Sequence, residues 1–227
     1  MGEDEYNELI LDNMGFNKPI PQYEQVIAVT IYHFYITSEI KENVEPYLDM
    51  INILKTAEAH DQIYIYINSV GGALSTTVQI TAAMKQAQAH VVTVMEGEVC
   101  SAATFIFLSG DDYVVHDNCL FMIHNYSHGV IGKGKEVASR VKFSDIYFKT
   151  LANSYYTDFL TPEEIEDVCE DKDLWMGSDE VIERLKARGA NVDTEIHDEY
   201  IFEDEPVKPK AKAKVKPKAK APKKPKK

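Results

Sequence analysis

The run Ile63-Tyr64-Ile65-Tyr66-Ile67 is apolar throughout and is closed at once by Asn68-Ser69-Val70-Gly71-Gly72. A strand with one wet face alternates apolar and polar side chains, so a short run with no polar member reads as a strand covered on both faces. The rest of the chain repeats this theme. Val26 to Ile36 is rich in β-branched and aromatic residues and reads as strand, while Val44, Tyr47, Leu48, Ile51 and Leu54 fall at helical spacing on one face. Ser75 to Gln88 reads as helix, Val91 to Met95 as strand, Ala102 to Leu108 as apolar helix and Leu120 to Ile123 as strand. Such alternation predicts an α/β domain with largely parallel strands.

The C-terminal third is helical. Lys135 to Phe159 carries Val137, Val141, Ile146 and Leu151 at helical intervals. Thr161-Pro162-Glu163-Glu164 has the form of a capping box with proline at the first helical position. Ser178 reads as a further N-cap and Gly189 as the matching stop.

Composition bounds what such a domain can be. With 227 residues, 44% of them hydrophobic, there is material for one ordinary core, expected over residues 26–200. No run approaches the roughly 18 to 20 apolar residues that span a bilayer. The acidic opening Gly2-Glu3-Asp4-Glu5 is the opposite of a secretory leader, and Tyr6 stands where a myristoylation signal wants a small hydroxyl residue. A cytoplasmic protein that binds no membrane is expected. Cys100, Cys119 and Cys169 have neither the spacing of a zinc site nor an even count, so they read as buried thiols.

The net charge of −13 hides an asymmetry. Of the 24 basic residues, 11 are lysines between Lys208 and Lys227; the 13 that remain face 37 acids, about −24 for the body. The tail has four prolines and one branched apolar residue, so residues 201–227 read as disordered, Lys/Pro/Ala-rich from 208. It offers counterion-release binding to nucleic acid or to an acidic partner, or serves only as a solubilising appendage. Residues 1–25 read as a mobile acidic arm.

Turns that feed helices are where an α/β sheet does chemistry, because helix N-terminal amides there point at a ligand. Gly71-Gly72 lets a substrate backbone come close, or is an ordinary tight turn. In Gly97-Glu98-Val99-Cys100-Ser101-Ala102-Ala103, Ser101 is either an N-cap or a nucleophile, and Cys100 is a rival nucleophile. His124 ends a strand and has the intrinsic pKa of a general base; His116 and His128 are the alternatives. Asp173, or its neighbour Asp171, can orient an imidazole or be a solvated loop charge.

Together these segments resemble the proteolytic subunit of the Clp protease, ClpP, within the ClpP/crotonase superfamily. The resemblance lies in Tyr64 to Gly72 for the family's strand and Gly-Gly turn, Gly97 to Thr104 for its nucleophile loop, Leu120 to His124 for its Met-Ile-His strand, and Asp173 to Glu180 for its acid-bearing segment. It spans about residues 30 to 190 in the family's order. It implies a repeated ββα superhelical fold in which Lys135 to Phe159 is a protruding handle helix, with the glycine-punctuated stretch after His124 as a substrate-binding strand. It further implies a self-compartmentalising serine endopeptidase with Ser101 as nucleophile, His124 as base then acid, Asp173 as the residue that fixes the imidazole, and the amides of Gly72 and Ala102 as oxyanion hole. Stacked heptameric rings and an AAA+ unfoldase as partner follow from the same resemblance, with no metal or organic cofactor in the hydrolytic step. ATP is then consumed by the partner, since no G-x-x-x-x-G-K-[ST] phosphate loop occurs here.

This chain departs from the family pattern at Val70, where the turn usually has proline, at Val99-Cys100 in the nucleophile loop, and at Asn125-Tyr126, where Gln-Pro is usual. Residues 1–25 do not resemble the family's axial loop, and the lysine tail is foreign to it. Such divergence suits a phage-encoded relative acting in the host cytoplasm or in capsid maturation. Two other functions compete: a catalytically silent ring subunit that scaffolds an assembly, and a crotonase-type acyl-CoA enzyme, which would need no Ser-His-Asp set.

Overall fold

The structure, a computed structural model, describes residues 28–196. The expected arm over 1–25, the boundary near residue 200 and the tail lie outside the described residues. The described residues form a seven-stranded sheet. Strands β1 (Ile31–Ile36), β2 (Gln62–Ser69), β3 (His90–Cys100), β4 (Asp112–Val115) and β7 (Val192–Asp193) lie side by side in that order, every pair parallel. Helices α1 (Leu48–Thr56), α2 (Leu74–Met84) and α3 (Ala102–Phe107) make the crossovers between consecutive parallel strands. Strand β5 (Leu120–Ile123) is parallel to the second half of β3, and β6 (Leu174–Gly177) runs antiparallel to β5. This is the mixed α/β architecture expected of the ClpP-like fold.

The two covered faces of β2 separate cleanly. Ile63, Ile65 and Ile67 point into the main core with Phe105, Ile106, Phe107, Val115 and Phe121. Tyr64 and Tyr66 join Val92, Val94 and Val114 in a second cluster on the opposite face. Since side chains alternate along a strand, an all-apolar run is what two cores demand.

Strand β3 is longer than the expected Val91 to Met95 and absorbs Gly97 to Cys100, which the sequence reading put in a loop. Its first half pairs with β4 (Val92↔Asp112 to Met95↔Val115) and its second with β5 (Glu98↔Leu120 to Cys100↔Met122). The change of partner falls at Gly97, whose φ is +77°, with the Gly97 amide on the Cys119 sulfur and the Glu98 amide on Asn68 Oδ1. Strands β4, β6 and β7 are short and were not legible in the sequence.

Beyond β5 the chain runs without regular structure to α4 (Gly134–Tyr156), so the expected substrate strand with Gly129 and Gly132 is not formed in these residues. Helix α4 buries only Phe148, Leu151, Ala152 and Tyr156, all near its C-terminal end. Phe143 and Ile146, 67% and 58% exposed, show that its first turns stand clear of the core. Helices α5 (Pro162–Cys169) and α6 (Ser178–Ala187) follow. The capping box is formed as expected: the Glu164 amide donates to Thr161 Oγ1 and the Thr161 amide to Glu164 Oε2. Ser178 is not the N-cap. That position is Gly177, because the buried Ser178 hydroxyl donates to the His116 carbonyl and accepts from the Cys119 amide, tying α6 to the β4–β5 turn. Gly189 ends α6 at φ +78°.

Glu164 also takes a two-pronged contact from Arg184 of α6, at 2.7 and 2.9 Å. This guanidinium, with help from the Thr161 amide, holds the Glu164 carboxyl at about 2. A carboxylate depressed in the folded state stabilises above its unfolded pKa and loses that contribution as pH falls through the folded value. Replacing Glu164 by Gln should therefore cost about 1 to 3 kcal/mol at neutral pH, and the difference from the parent should shrink between about pH 4.5 and pH 2; urea unfolding across that range measures it.

Candidate active site

Strand β3 ends and α3 begins at one residue, Ser101. Its backbone lies at φ 55°, ψ −127°, a left-handed conformation that an L residue adopts only when its surroundings impose it. The constraints are visible. The Ser101 amide donates to the Met122 carbonyl on β5 (2.8 Å), and its carbonyl accepts from the Thr104 amide (3.0 Å) and hydroxyl (2.6 Å). The Thr104 hydroxyl is 2.7 Å from that of Tyr156, the fully buried end of α4. Burial pushes the Tyr156 phenol up, so it stays protonated and able to donate. Ser101 stands at the N-cap position, yet its hydroxyl makes no capping bond. It is free for other chemistry.

The Gly71-Gly72 turn packs directly on this corner. A Cβ at Gly71 would lie 2.7 Å from Ser101 Cβ and 2.9 Å from the Ala102 nitrogen, and one at Gly72 would lie 2.2 Å from the Ile40 carbonyl oxygen. Both residues have positive φ, +94° and +143°. The Ile40 amide donates to the Gly71 carbonyl (2.7 Å) and the Ala73 amide to the Ile40 carbonyl (2.9 Å). This tie leaves the Gly72 N–H out. The Ala102 N–H is the first of its helix and has no intrahelical acceptor. Gly72 and Ala102 each keep a main-chain N–H outside these bonds.

Gly72, Ser101, Ala102 and His124 line one cavity of about 750 Å³, with Phe105, Tyr126 and Phe148 on its apolar side. His124 follows directly on β5, whose backbone holds Ser101 through Met122. Among the described residues its ring has no hydrogen-bond partner. His128 lines the same cavity, stacked on Tyr126 with ring centres 5.0 Å apart. His116 does not line it: it follows β4, with Nδ1 4.0 Å from Glu96. Cys100, 4% exposed, lies within β3, and burial, reinforced by the Glu98 charge, pushes its thiol up, which leaves less of the reactive thiolate.

The two acids have different surroundings. Residues of β5 and β6 pair from Leu120↔Gly177 to Ile123↔Leu174. The ladder stops there; continued by one step, the same register would set His124 opposite Asp173, the arrangement in which side chains of an antiparallel pair share a face. Asp173 is exposed and does not line the cavity. Asp171 ends α5 instead. It has φ +67°, its amide donates to the Val168 carbonyl and the Lys172 amide to that of Asp167, the paired bonds of a helix stop usually made by glycine. Its carboxylate accepts from Asn125 Nδ2 at 2.8 Å.

Several contributors gave no signal of their own in the sequence. Thr104 and Tyr156 lie 52 positions apart, and Asn125 and Asp171 46 apart; neither pair falls into a local motif. Ile40 reads as a lone apolar residue, yet it closes the glycine turn.

Comparison with known proteins shows the family. A family described as Clp protease matches residues 24–184. An ATP-dependent Clp protease proteolytic subunit of Ostreococcus tauri is 28% identical over 142 residues, covering 61% of this chain and 70% of its own. The ATP-dependent Clp protease proteolytic subunit 1 of Mycobacterium leprae (strain TN) is 25% identical over 178 residues, covering 76% and 86%. A Chlorella vulgaris proteolytic subunit is 29% identical over 108 residues, covering 46% and 54%.

Because Gly71 has no room for a methyl group, Gly71→Ala should cost more than about 1 kcal/mol in unfolding free energy. It should also slow any reaction of Ser101 with a fluorophosphonate by pushing the Ser101 turn out of place. Denaturation and labelling rate on the same preparation check both.

Proposed function

The chain belongs to the Clp protease family and is a serine-type endopeptidase, and from that premise we propose that Ser101, His124 and Asp173 form its catalytic triad. The observation that carries this reading is the strained Ser101 backbone with an uncommitted hydroxyl, on one cavity wall with His124 and the Gly72 turn.

Serine oxygen is a weak nucleophile at neutral pH and needs a base within reach. His124 takes the Ser101 proton as Oγ attacks the scissile carbonyl, then returns it to the leaving amine; water repeats the sequence on the acyl-enzyme. Asp173, opposite His124 in the extended register, accepts from the other ring nitrogen and stabilises the imidazolium. The carbonyl oxygen gathers charge as it becomes tetrahedral, and the Gly72 and Ala102 N–H groups receive it; one such donor is worth roughly 3 kcal/mol.

The same reading makes the particle a self-compartmentalising ring. Support comes from α4, which leaves Val141, Phe143, Ile146 and Tyr147 exposed on a helix whose other end is anchored. Apolar surface of that kind marks a protein contact, and a handle between two rings accounts for it. The relatives are named ATP-dependent; for this chain the ATP is consumed by an AAA+ unfoldase that delivers polypeptide to the ring.

Fluorophosphonate labelling on the assembled particle tests the chemistry. Labelling should vanish with Ser101→Ala. Peptide turnover should fall at least about 10³-fold with Ser101→Ala or His124→Ala, and about 10²- to 10⁴-fold with Asp173→Asn. His116→Ala and His128→Ala should keep most of it. An unlabelled serine in an assembled ring would favour the silent scaffold, and turnover that survives His124→Ala would move the base elsewhere.

A further inference from the structure

Asn125, one of the residues at which this chain leaves the usual family pattern, makes three hydrogen bonds. Its Nδ2 donates to the Asp171 carboxylate (2.8 Å) and to the Cys169 carbonyl (3.2 Å), and its Oδ1 accepts from the Tyr126 amide (2.8 Å). Two acceptors on one end of the amide and a donor on the other admit a single orientation of the side chain.

Both acceptors belong to the end of α5. The carbonyl of Cys169, the last residue of the helix, is one of four that no intrahelical donor reaches, and Asp171 is the left-handed residue that turns the chain away. Asn125 therefore caps a helix from another element. It does so from the position immediately after His124, and the turn it holds lies two residues before Asp173. The β5–β6 ladder ends one pair earlier, at Ile123↔Leu174. The spacing between His124 and Asp173 is thus bracketed by the last ladder pair on one side and by the Asn125 clamp on the other.

We propose that Asn125 is a positioning residue for the hydrolytic reaction: by clamping the end of α5 it holds Asp173 across from the His124 ring. The proposal rests on Asp173 being the acid of the triad. It assigns Asp171 to the clamp, which explains why two acids so close in sequence are not interchangeable.

The measurement is the pH profile of kcat/KM for a fluorogenic peptide, with the assembled full-length protein. An acid facing an imidazole raises the imidazole's pKa, and the base must be neutral to act. Asn125→Ala should lower kcat/KM by about 10- to 100-fold, the penalty for roughly 1 Å of misplacement, and should move the acidic limb of the profile to lower pH. Asp171→Ala should do the same, Asp171→Asn, which keeps an acceptor for the same donor, should restore most of the loss, and the Asn125→Ala/Asp171→Ala double variant should be no worse than the more severe single. The other ionisable groups around His124 are Glu39, Lys41 and Glu42 after β1, His128, Asp145 of α4, which accepts from Tyr126, and Asp171 itself; all remain in Asn125→Ala, so there the limb reports Asp173, while Asp171→Asn, which loses the charge but keeps the acceptor, separates the Asp171 charge from the clamp. A profile unchanged by Asn125→Ala overturns the proposal, and so does a fall in rate with the limb unmoved or an additive double variant. If Asn125→Ala fails to assemble, Asp171→Ala, which keeps the bond to Cys169, carries the same test when read against Asp171→Asn, which removes the same charge: a limb moved equally in both overturns the proposal. Ser101→Ala and His124→Ala run alongside: turnover surviving in either sinks the triad itself, whereas their inactivity with a normal Asn125→Ala profile sinks only the clamp.

Discussion

Strand β3 has to satisfy two neighbours in succession, and the site depends on how it does so. Its first half lies beside β4 and its second beside β5, with the break at the left-handed Gly97. The register against β2 shifts at the same level, from Ile67↔Met95 to Ser69↔Val99. A strand that simply continued along β4 would end its run far from β5. Bent as it is, it delivers Ser101 to the Met122 carbonyl, two residues from His124. The hydrogen bonds of a parallel ladder, rather than any direct serine–histidine contact, are what bring the two groups to one cavity.

The fold was readable to the extent that it is written in short-range pattern. The all-apolar run at Ile63 to Ile67, the strand Leu120 to Ile123 and the capping box at Thr161 are local signals, and each stands where periodicity and turn chemistry put it. What escaped was short or non-local. Strands β4 and β6 have four residues each, like β5, but an acid in one and a glycine in the other break the unbroken apolar run that marks Leu120 to Ile123. Ser178 reads as a cap on its own, and becomes a tie between α6 and the β4–β5 turn only once His116 and Cys119 are beside it.

The candidate site divides in the same way. Ser101, His124 and Gly72 could be named because helix starts, strand ends and glycine pairs are visible in one dimension. The choice between Asp173 and Asp171 could not be made there. The proposal of Asp173 draws instead on the β5–β6 register and on Asp171 being occupied in stopping a helix. The supports of Ser101 were equally invisible, since Thr104, Tyr156 and Ile40 are ordinary residues whose roles arise from what the fold sets against them.

The twisted backbone of Ser101 has an evolutionary corollary. Holding an L residue in that conformation costs about 1 to 3 kcal/mol, a burden glycine would not carry. On the role proposed for Ser101, selection for a robust fold and selection for chemistry pull in opposite directions at this position. In a lineage that kept the fold but had no further use for hydrolysis, this residue would be among the first to drift, and the descendant would be sturdier for the loss.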